Sequence, residues 1–263
     1  MLNHLAKGLA EIHEHGIAHT DVKPSTILIR PQSDGWRKGG AIDAWFAKHP
    51  PRKSQPLRTP KGMKSSWITQ PGPPLLESLE NSNYVLSDFS HAELVEDKEA
   101  PEVTIPPLRA PELLVGYPDW DQKIDMWSYG LIAFHLLTNS TTIFPSRLPG
   151  SPPGAGIVES MLYQMMCITG EEFPDWLLDW GLQSGAYFHL LDPERRGKLI
   201  NFNHHEYTGP TIRDILLGEA IRAGAVLRKG DLEGASDLLK KCLRLDPKKR
   251  ASAREIAEHP WLD

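Results

Sequence analysis

Several features are scarce in this sequence, and each scarcity excludes a class of protein. The chain has two cysteines, Cys167 and Cys242, too few for a disulfide framework, which favours a reducing compartment, the cytoplasm and/or the nucleus. The longest apolar run, Gly130–Leu137, contains His135 and is too short to span a bilayer. The formal net charge of −5 disfavours a protein that coats nucleic acid. We therefore expect no direct nucleic-acid binding and no membrane insertion.

The N-terminal residues do not look like a targeting signal. The stretch MLNHLAKGLAEIHEH mixes charged and apolar residues at helical spacing. A secretory signal would instead have a basic start and a continuous apolar segment. The pattern predicts an amphipathic helix at the start of the chain.

Proline is abundant and concentrated. The chain has 23 prolines, seven of them between Pro50 and Pro74, and the window 31–74 has a formal charge of +6 against −11 for the remainder. This basic, proline-rich window shows no helical or strand period, which is typical of an inserted loop. We expect an insertion at about 31–80 on the surface of the domain.

Outside the insertion, the apolar spacing predicts a mostly helical chain. Short β-type runs occur at 26–30 and 84–89. Residues 123–138 are apolar nearly all round, which predicts a helix buried on every side. The predicted helices are 2–12, 123–138, 156–169, 211–222, 231–243 and 252–259.

Five short motifs follow one another along the chain. They are His19-Thr-Asp21-Val-Lys23-Pro-Ser-Thr26, Asp88-Phe-Ser90, Arg109-Ala-Pro-Glu112, Asp125-Met-Trp-Ser-Tyr-Gly130 and Asp246-Pro-Lys-Lys-Arg250. Their types and order resemble the catalytic loop, the D-F-G and A-P-E motifs and later landmarks of eukaryotic protein kinases. The resemblance extends over essentially the whole chain.

This resemblance implies an α+β, protein-kinase-like fold. Residues 1–263 would form a partial kinase domain, a mostly helical C-terminal lobe with a small β-hairpin. No G-x-G-x-x-G follows a strand and no V-A-I-K lysine exists in the sequence, so we expect the N-terminal β-lobe to be missing. The His-Thr-Asp variant and the insertion resemble the serine/arginine-rich-protein kinases, particularly fungal members.

The resemblance also implies a chemistry for four residues. Asp21 would accept or orient the proton of a substrate hydroxyl, and Lys23 would contact the γ-phosphate of ATP. Asp88 would hold Mg²⁺. Thr26 stands where the family has a Mg²⁺-binding Asn, so a second metal site there is doubtful because a hydroxyl replaces an amide oxygen.

Other matched positions would be structural. By resemblance, His19 packs within the lobe, Asp125 accepts backbone N–H groups of the catalytic loop, and Glu112 and Arg250 form a buried ion pair. Thr20 replaces the Arg that normally pairs with a phosphorylated activation loop, so we expect that phosphorylation is not the switch.

The resulting hypothesis is a protein serine/threonine kinase that uses ATP and Mg²⁺ and acts on protein substrates rich in Arg and Ser, in a chain that is a fragment of a longer product and inefficient by itself. The alternative is a pseudokinase lobe that acts as a protein-binding module. An unrelated all-helical protein is a third, remote reading.

Two surface predictions follow from the same hypothesis. Without a covering β-lobe, Leu28, Val85 and Phe89 should form an exposed apolar face. An acidic cluster near Trp176 and Trp180 is a candidate docking surface for a basic peptide. Its members are Glu171, Glu172, Asp175 and Asp179.

Overall fold

The computed structural model describes residues 1–30, 44, 47–50, 52–59, 62–65, 67–68, 82–98, 103–138, 142–145, 152, 154–202, 209–222 and 229–263. The chain divides into two compact units. The larger consists of Met1–Leu28 and Val85–Asp263, and the smaller is Ile29–Tyr84. Within these described ranges, no helix combines the length and the apolar character that crossing a membrane requires.

Helices dominate the larger unit, and strands are short. The strands in chain order are β1 (Ile17–Ala18), β2 (Ile27–Arg30), β3 (Arg52–Lys53), β4 (Leu57–Thr59), β5 (Gly62–Lys64), β6 (Trp67–Ile68), β7 (Asn83–Leu86) and β8 (Glu93–Leu94). The helices are α1 (Leu2–Glu14), α2 (Pro111–Leu114), α3 (Lys123–Leu137), α4 (Ile157–Thr169), α5 (Asp175–Trp180), α6 (Ser184–Tyr187), α7 (Ile212–Arg222), α8 (Lys229–Cys242) and α9 (Ala253–Ala257). Single turns of 3₁₀ helix occur at Pro24–Thr26, Phe89–His91, Pro106–Leu108 and Pro260–Leu262.

Each strand pairs with one partner. Strand β1 pairs antiparallel with β8, with Ile17 opposite Leu94, and β2 pairs with β7. These two pairs flank the turn that carries Asp21. The short strands thus fix the path of the chain on both sides of the predicted catalytic loop.

Helix α3 is the centre of the larger unit, as its sequence predicted. Every residue from Ile124 to Phe134 is buried. Helices α1, α7 and α8 pack against it. A helix that is apolar all round can satisfy this environment because it exposes no face to water.

Local signals explain where several helices begin and end. Helix α1 ends just before Gly16, which has a left-handed φ of +71°, and α4 ends at Gly170, with φ of +68°. Glycine adopts this conformation without a Cβ clash, which makes it a common helix terminator. Helix α9 begins with a capping box, in which Ser252 and Glu255 satisfy each other's backbone N–H groups.

The sequence missed the shortest elements. Helices α2, α5 and α6 span four to six residues, too few to show a hydrophobic period. The insertion shows no strand period in its sequence, yet it contains short strands, since β3 pairs with β6 and β4 with β5. Strands of two or three residues are held by backbone pairing, which leaves no alternation in the sequence to detect. Most of the remaining insertion lies outside the described residues.

The predicted apolar face is exposed. Leu28, Val85 and Phe89 are 51%, 37% and 46% exposed. They lie on β2, on β7 and in the turn that follows Asp88. This confirms an apolar surface next to the predicted catalytic loop.

One glycine tests the packing of α3. A Cβ on Gly130 would lie 2.8 Å from Cys242 Cβ and 2.9 Å from a Leu243 methyl, whereas a Cβ on Gly218 in α7 would meet nothing within 4 Å. We predict that Gly130→Ala lowers the free energy of unfolding by about 1–3 kcal/mol through overpacking. Gly218→Ala, the matched control, should raise it by roughly 0.5–1 kcal/mol through helix propensity. Urea unfolding followed by circular dichroism measures both, and a Gly130→Ala protein as stable as Gly218→Ala would refute the packing.

Candidate active site

The His19-Thr20-Asp21 turn is anchored on the buried helix α3. Asp125, in the first turn of α3, accepts the backbone N–H of His19 at 2.7 Å and that of Thr20 at 2.9 Å. All four of these side chains are nearly or fully buried. The two bonds use both carboxylate oxygens of Asp125, so the helix fixes the position of the loop.

A third group, not identified from the sequence, completes this anchor. His13 Nε2 in α1 lies 2.9 Å from Asp125 Oδ2, and both side chains are buried. His13 follows Ile12 directly in the helix, and no spacing marked it as different from the neighbouring histidines. The structure thus ties α1, the loop and α3 to one carboxylate.

His19 is held in one orientation. Its Nε2 lies 2.9 Å from the carbonyl oxygen of Ser87, and its Nδ1 accepts the backbone N–H of Asp21 at 3.3 Å. These partners assign the hydrogen to Nε2. The ring also packs edge-on against Phe89, with centroids 4.9 Å apart. His19 therefore connects the loop to the Asp88-Phe89-Ser90 turn.

Asp21 and Lys23 form an ion pair at the mouth of the loop. Lys23 Nζ contacts Asp21 Oδ2, and the lysine side chain is 27% exposed against 9% for the aspartate. His91 Nδ1, which the sequence did not single out, lies 4.0 Å from the same Asp21 oxygen. An accessible cation thus lies beside a carboxylate that is almost entirely buried.

Asp88 belongs to the same cluster. It is exposed and has a left-handed backbone, with φ of +63°. Ser90 Oγ donates to Asp88 Oδ1 at 2.7 Å. This hydroxyl is the main reason that the pKa of Asp88 lies below its usual value, and the positive charges of Lys23 and His91 lower the pKa further. Asp88 is therefore ionised and open to solvent.

Thr26 is placed differently from Asp88. It is 1% exposed, its Oγ1 donates to the carbonyl oxygen of Lys23 at 2.9 Å, and it accepts the backbone N–H of Lys23 at 3.2 Å. Its hydroxyl thus braces the 3₁₀ turn at Pro24–Thr26. This arrangement directs no open oxygen of Thr26 toward solvent, and the second metal site stays a prediction.

Thr20 bonds to two points of the segment that follows Asp88. Its Oγ1 donates to the carbonyl oxygen of His91 at 2.5 Å, and its carbonyl accepts Thr104 Oγ1 at 2.7 Å. Thr20 and Thr104 both have left-handed backbones, with φ of +64° and +65°. The residue that replaces the family's Arg therefore holds this segment by hydrogen bonds to its backbone and to Thr104.

Glu112 and Arg250 form a paired, buried interaction. The two guanidinium nitrogens lie 2.6 and 2.8 Å from the two carboxylate oxygens, and neither side chain is more than 1% exposed. Arg250 also donates to the carbonyl of Lys123 at 2.9 Å and lies over the Trp127 ring. Separating α2 from the C-terminal region would leave one of these charges buried without its partner, which is energetically costly. The pair therefore holds α2 against the residues around Arg250.

The acidic cluster near Trp176 is partly paired with arginines of the chain. Arg196 pairs with both Asp175 and Asp179. Glu171 forms an ion pair with Arg244 and accepts the backbone N–H of Leu245 at 2.8 Å. Three of the four carboxylates therefore have an arginine partner within the chain, which reduces the charge of the cluster. Its role as a docking surface for a basic peptide stays a prediction.

Comparison with known proteins identifies the family. A model of the protein kinase domain matches residues 75–262. The chain belongs to the protein kinase family. Enzymes of this family use ATP and Mg²⁺ and act on protein substrates, and the chain has the protein kinase fold.

Relatives come from several branches of the kinase family. The chain is 24% identical to the meiosis induction protein kinase IME2/SME1 of Saccharomyces cerevisiae. The match covers all of the chain and 33% of that protein. The chain is 25% identical to the serine/threonine-protein kinase SRPK of Physarum polycephalum, across all of the chain and 59% of that protein. It is equally similar, at 25% identity across all of the chain and 44% of that protein, to the human dual specificity protein kinase CLK1. The chain thus spans about a third to three fifths of the length of these relatives.

Removing the Ser90 hydroxyl should change the ionisation of Asp88. We predict that Ser90→Ala raises the pKa of Asp88 toward its ordinary value, because the main group that stabilises the carboxylate is lost. As the pH falls, Asp88 should then become protonated at a higher pH than in the unmodified chain. Carbon-13 NMR titration of the carboxyl groups measures this shift.

A matched carboxylate controls the measurement. The pKa of Asp214 is lowered by a comparable hydrogen bond from Thr211, at 2.7 Å. Ser90→Ala should leave the titration of Asp214 unchanged. An Asp88 titration that does not move would contradict the assignment of the hydrogen bond.

Proposed function

We propose that this kinase domain transfers the γ-phosphoryl group of ATP to a serine or threonine hydroxyl of a protein. The observation that carries the proposal is the Asp21–Lys23 ion pair next to the ionised Asp88, on a loop anchored by Asp125. Phosphoryl transfer depends mainly on positioning and on charge stabilisation. A rigid turn that presents one carboxylate and one accessible cation is suited to that task.

In this proposal Asp21 orients the acceptor hydroxyl and receives its proton. Its carboxylate is 9% exposed, so it reaches solvent only at the mouth of the loop. Lys23, beside it, binds a phosphate oxygen and offsets the negative charge there. The pairing of the two residues keeps that cation close to the carboxylate before substrate arrives.

The residues near Asp88 fit one divalent cation. Asp88 is an exposed, ionised carboxylate, the type of ligand that Mg²⁺ prefers. Mg²⁺, when bound, supplies the positive charge that screens the phosphates of ATP. We propose that Asp88 is the principal metal ligand of this chain, with Thr26 bracing the loop that faces it.

We further propose that strands covering the phosphates come from a longer product. The sequence contains no glycine-rich phosphate loop after a strand, and the relatives are considerably longer than this chain. The exposed face of Leu28, Val85 and Phe89 would be covered by those strands. The two free cysteines support a reducing location, the cytoplasm and/or the nucleus.

The choice of subfamily and regulation rests on Thr20. The His-Thr-Asp motif supports a kinase of the serine/arginine-rich-protein type. The bonds from Thr20 to His91 and Thr104 support an activation segment held without a phosphate. The arginine partners of Glu171, Asp175 and Asp179 reduce the charge available for docking of Arg/Ser-rich substrates at that surface.

A pseudokinase lobe that binds partner proteins is the second candidate. It is favoured by Thr26, whose hydroxyl is bonded to the Lys23 backbone, and by Ser90, whose hydroxyl occupies one oxygen of Asp88. Both bonds reduce what the chain can offer to metal ions. Phosphoryl transfer distinguishes the two functions.

The test is radiolabel transfer from ATP to serine and threonine peptides by the full-length product. We predict that Asp21→Asn lowers the transfer rate by about 10²–10⁴-fold, because the residue that receives the hydroxyl proton is lost. Asp231→Asn, which changes an exposed carboxylate in α8, should leave the rate unchanged. No transfer by the unmodified protein, with ATP and peptide binding intact, would establish the pseudokinase.

A further inference from the structure

A cavity adjoins the Asp21–Lys23 pair. A pocket of about 410 Å³ lies between the Pro24–Thr26 turn, the Pro106–Leu108 turn and helix α3. Leu131, Ile132 and Phe144 form its floor and are 7%, 1% and 1% exposed. The pocket is therefore preformed, with a wall built from the hydrophobic core.

The rim connects the pocket to the candidate catalytic pair. Lys23 and Ser25 line one side, and Ile105, which is 42% exposed, lines another. Lys23 also forms the ion pair with Asp21. Because successive residues of an extended peptide advance by about 3.3–3.6 Å, a peptide whose hydroxyl reaches Asp21 would place a neighbouring side chain over this pocket.

The charges of the lining restrict what can enter. Among the described lining residues there is no Asp or Glu, and the ionisable groups are Lys23 and His135. An Arg or Lys side chain inserted here would lose its hydration and meet no counter-charge. An aliphatic or aromatic side chain would instead exchange water for Leu131, Ile132 and Phe144.

We propose that this pocket is a specificity site for an uncharged aliphatic or aromatic side chain of the protein substrate, close to the phosphoacceptor, and that it disfavours Arg and Lys. The inference rests on the proposed function, because the peptide is placed by its hydroxyl at Asp21. The preferred substrate would therefore carry an apolar residue next to the phosphoacceptor, where an Arg/Ser-rich substrate would carry Arg.

Direct peptide binding tests the site without requiring catalysis. The probes are fluorescein-labelled peptides with a central Ser, in which the two positions on either side are, in turn, Ala, Leu, Phe or Arg. We expect fluorescence polarisation with the unmodified chain to reveal one position at which the Leu or Phe peptide binds about tenfold more tightly than the Ala peptide. The peptide with Arg at that position should bind no more tightly than the Ala peptide. Arg binding as tightly as Leu at every position would overturn the proposal.

Two substitutions on the rim and one control locate the effect. Ile105→Glu and Thr142→Glu change exposed residues of the lining and should abolish the preference for Leu while strengthening binding of the Arg peptide. Leu182→Glu makes the same kind of change at a leucine that is 83% exposed and does not line the pocket, and it should preserve the preference. Equal behaviour of all three variants, with unchanged circular dichroism, would refute the site.

A separate variant distinguishes this proposal from the proposed function. Asp21→Asn should lose phosphoryl transfer and keep the Leu preference in binding. If the unmodified protein transfers no phosphate but shows the preference, the pocket stands and the kinase activity fails. If it transfers phosphate and shows no preference, the pocket proposal fails. The proposal also fails if the unmodified chain sediments as a dimer and Ile105→Glu sediments as a monomer, because a second copy of the chain would then occupy the pocket.

Discussion

One buried carboxylate, that of Asp125, fixes the arrangement on which the candidate active site depends. It is 1% exposed, yet it has His13 and the backbone N–H groups of His19 and Thr20 as partners. An unpaired carboxylate at this depth would be strongly unfavourable, so the partners and the charge stabilise one another. Its place in the first turn of α3 is also favourable, because the positive end of the helix dipole lies there.

The loop that Asp125 holds is bonded in turn to the segment after Asp88. Thr20 makes these hydrogen bonds, to the carbonyl of His91 and to the hydroxyl of Thr104. The far end of that segment is held by Glu112, through its buried pair with Arg250. Asp21 and Lys23 therefore lie between two fixed regions, which explains how a surface turn can keep a definite geometry.

The sequence predicted the features that depend on local order along the chain. The long helices, the buried character of α3 and the kinase family followed from periodicity and from five ordered motifs. Other features come from pairings between distant residues. His13 lies 112 positions from Asp125, and His91 lies 70 positions from Asp21, so neither spacing carries a signal.

Charge patterns along the sequence do not show which side chains pair in space. The sequence placed Asp175 and Asp179 in an acidic cluster, and the structure shows that Arg196 pairs with both. The apolar pocket was not visible either, since its floor and rim come from separate parts of the chain. Both features require the tertiary structure, because they depend on which charges and apolar groups meet.

The most direct measurement is amide hydrogen exchange at His19 and Thr20, compared between the unmodified protein and Asp125→Asn. The amide side chain has one acceptor oxygen, so at least one of the two backbone N–H groups should exchange much faster in the variant, while α8 stays protected. Asp246→Asn removes a carboxylate that accepts the backbone N–H of Lys248 at 2.9 Å, and it should leave His19 and Thr20 slow. Fast exchange at both amides in the unmodified protein, or no change in Asp125→Asn, would contradict the claim that this carboxylate holds the loop.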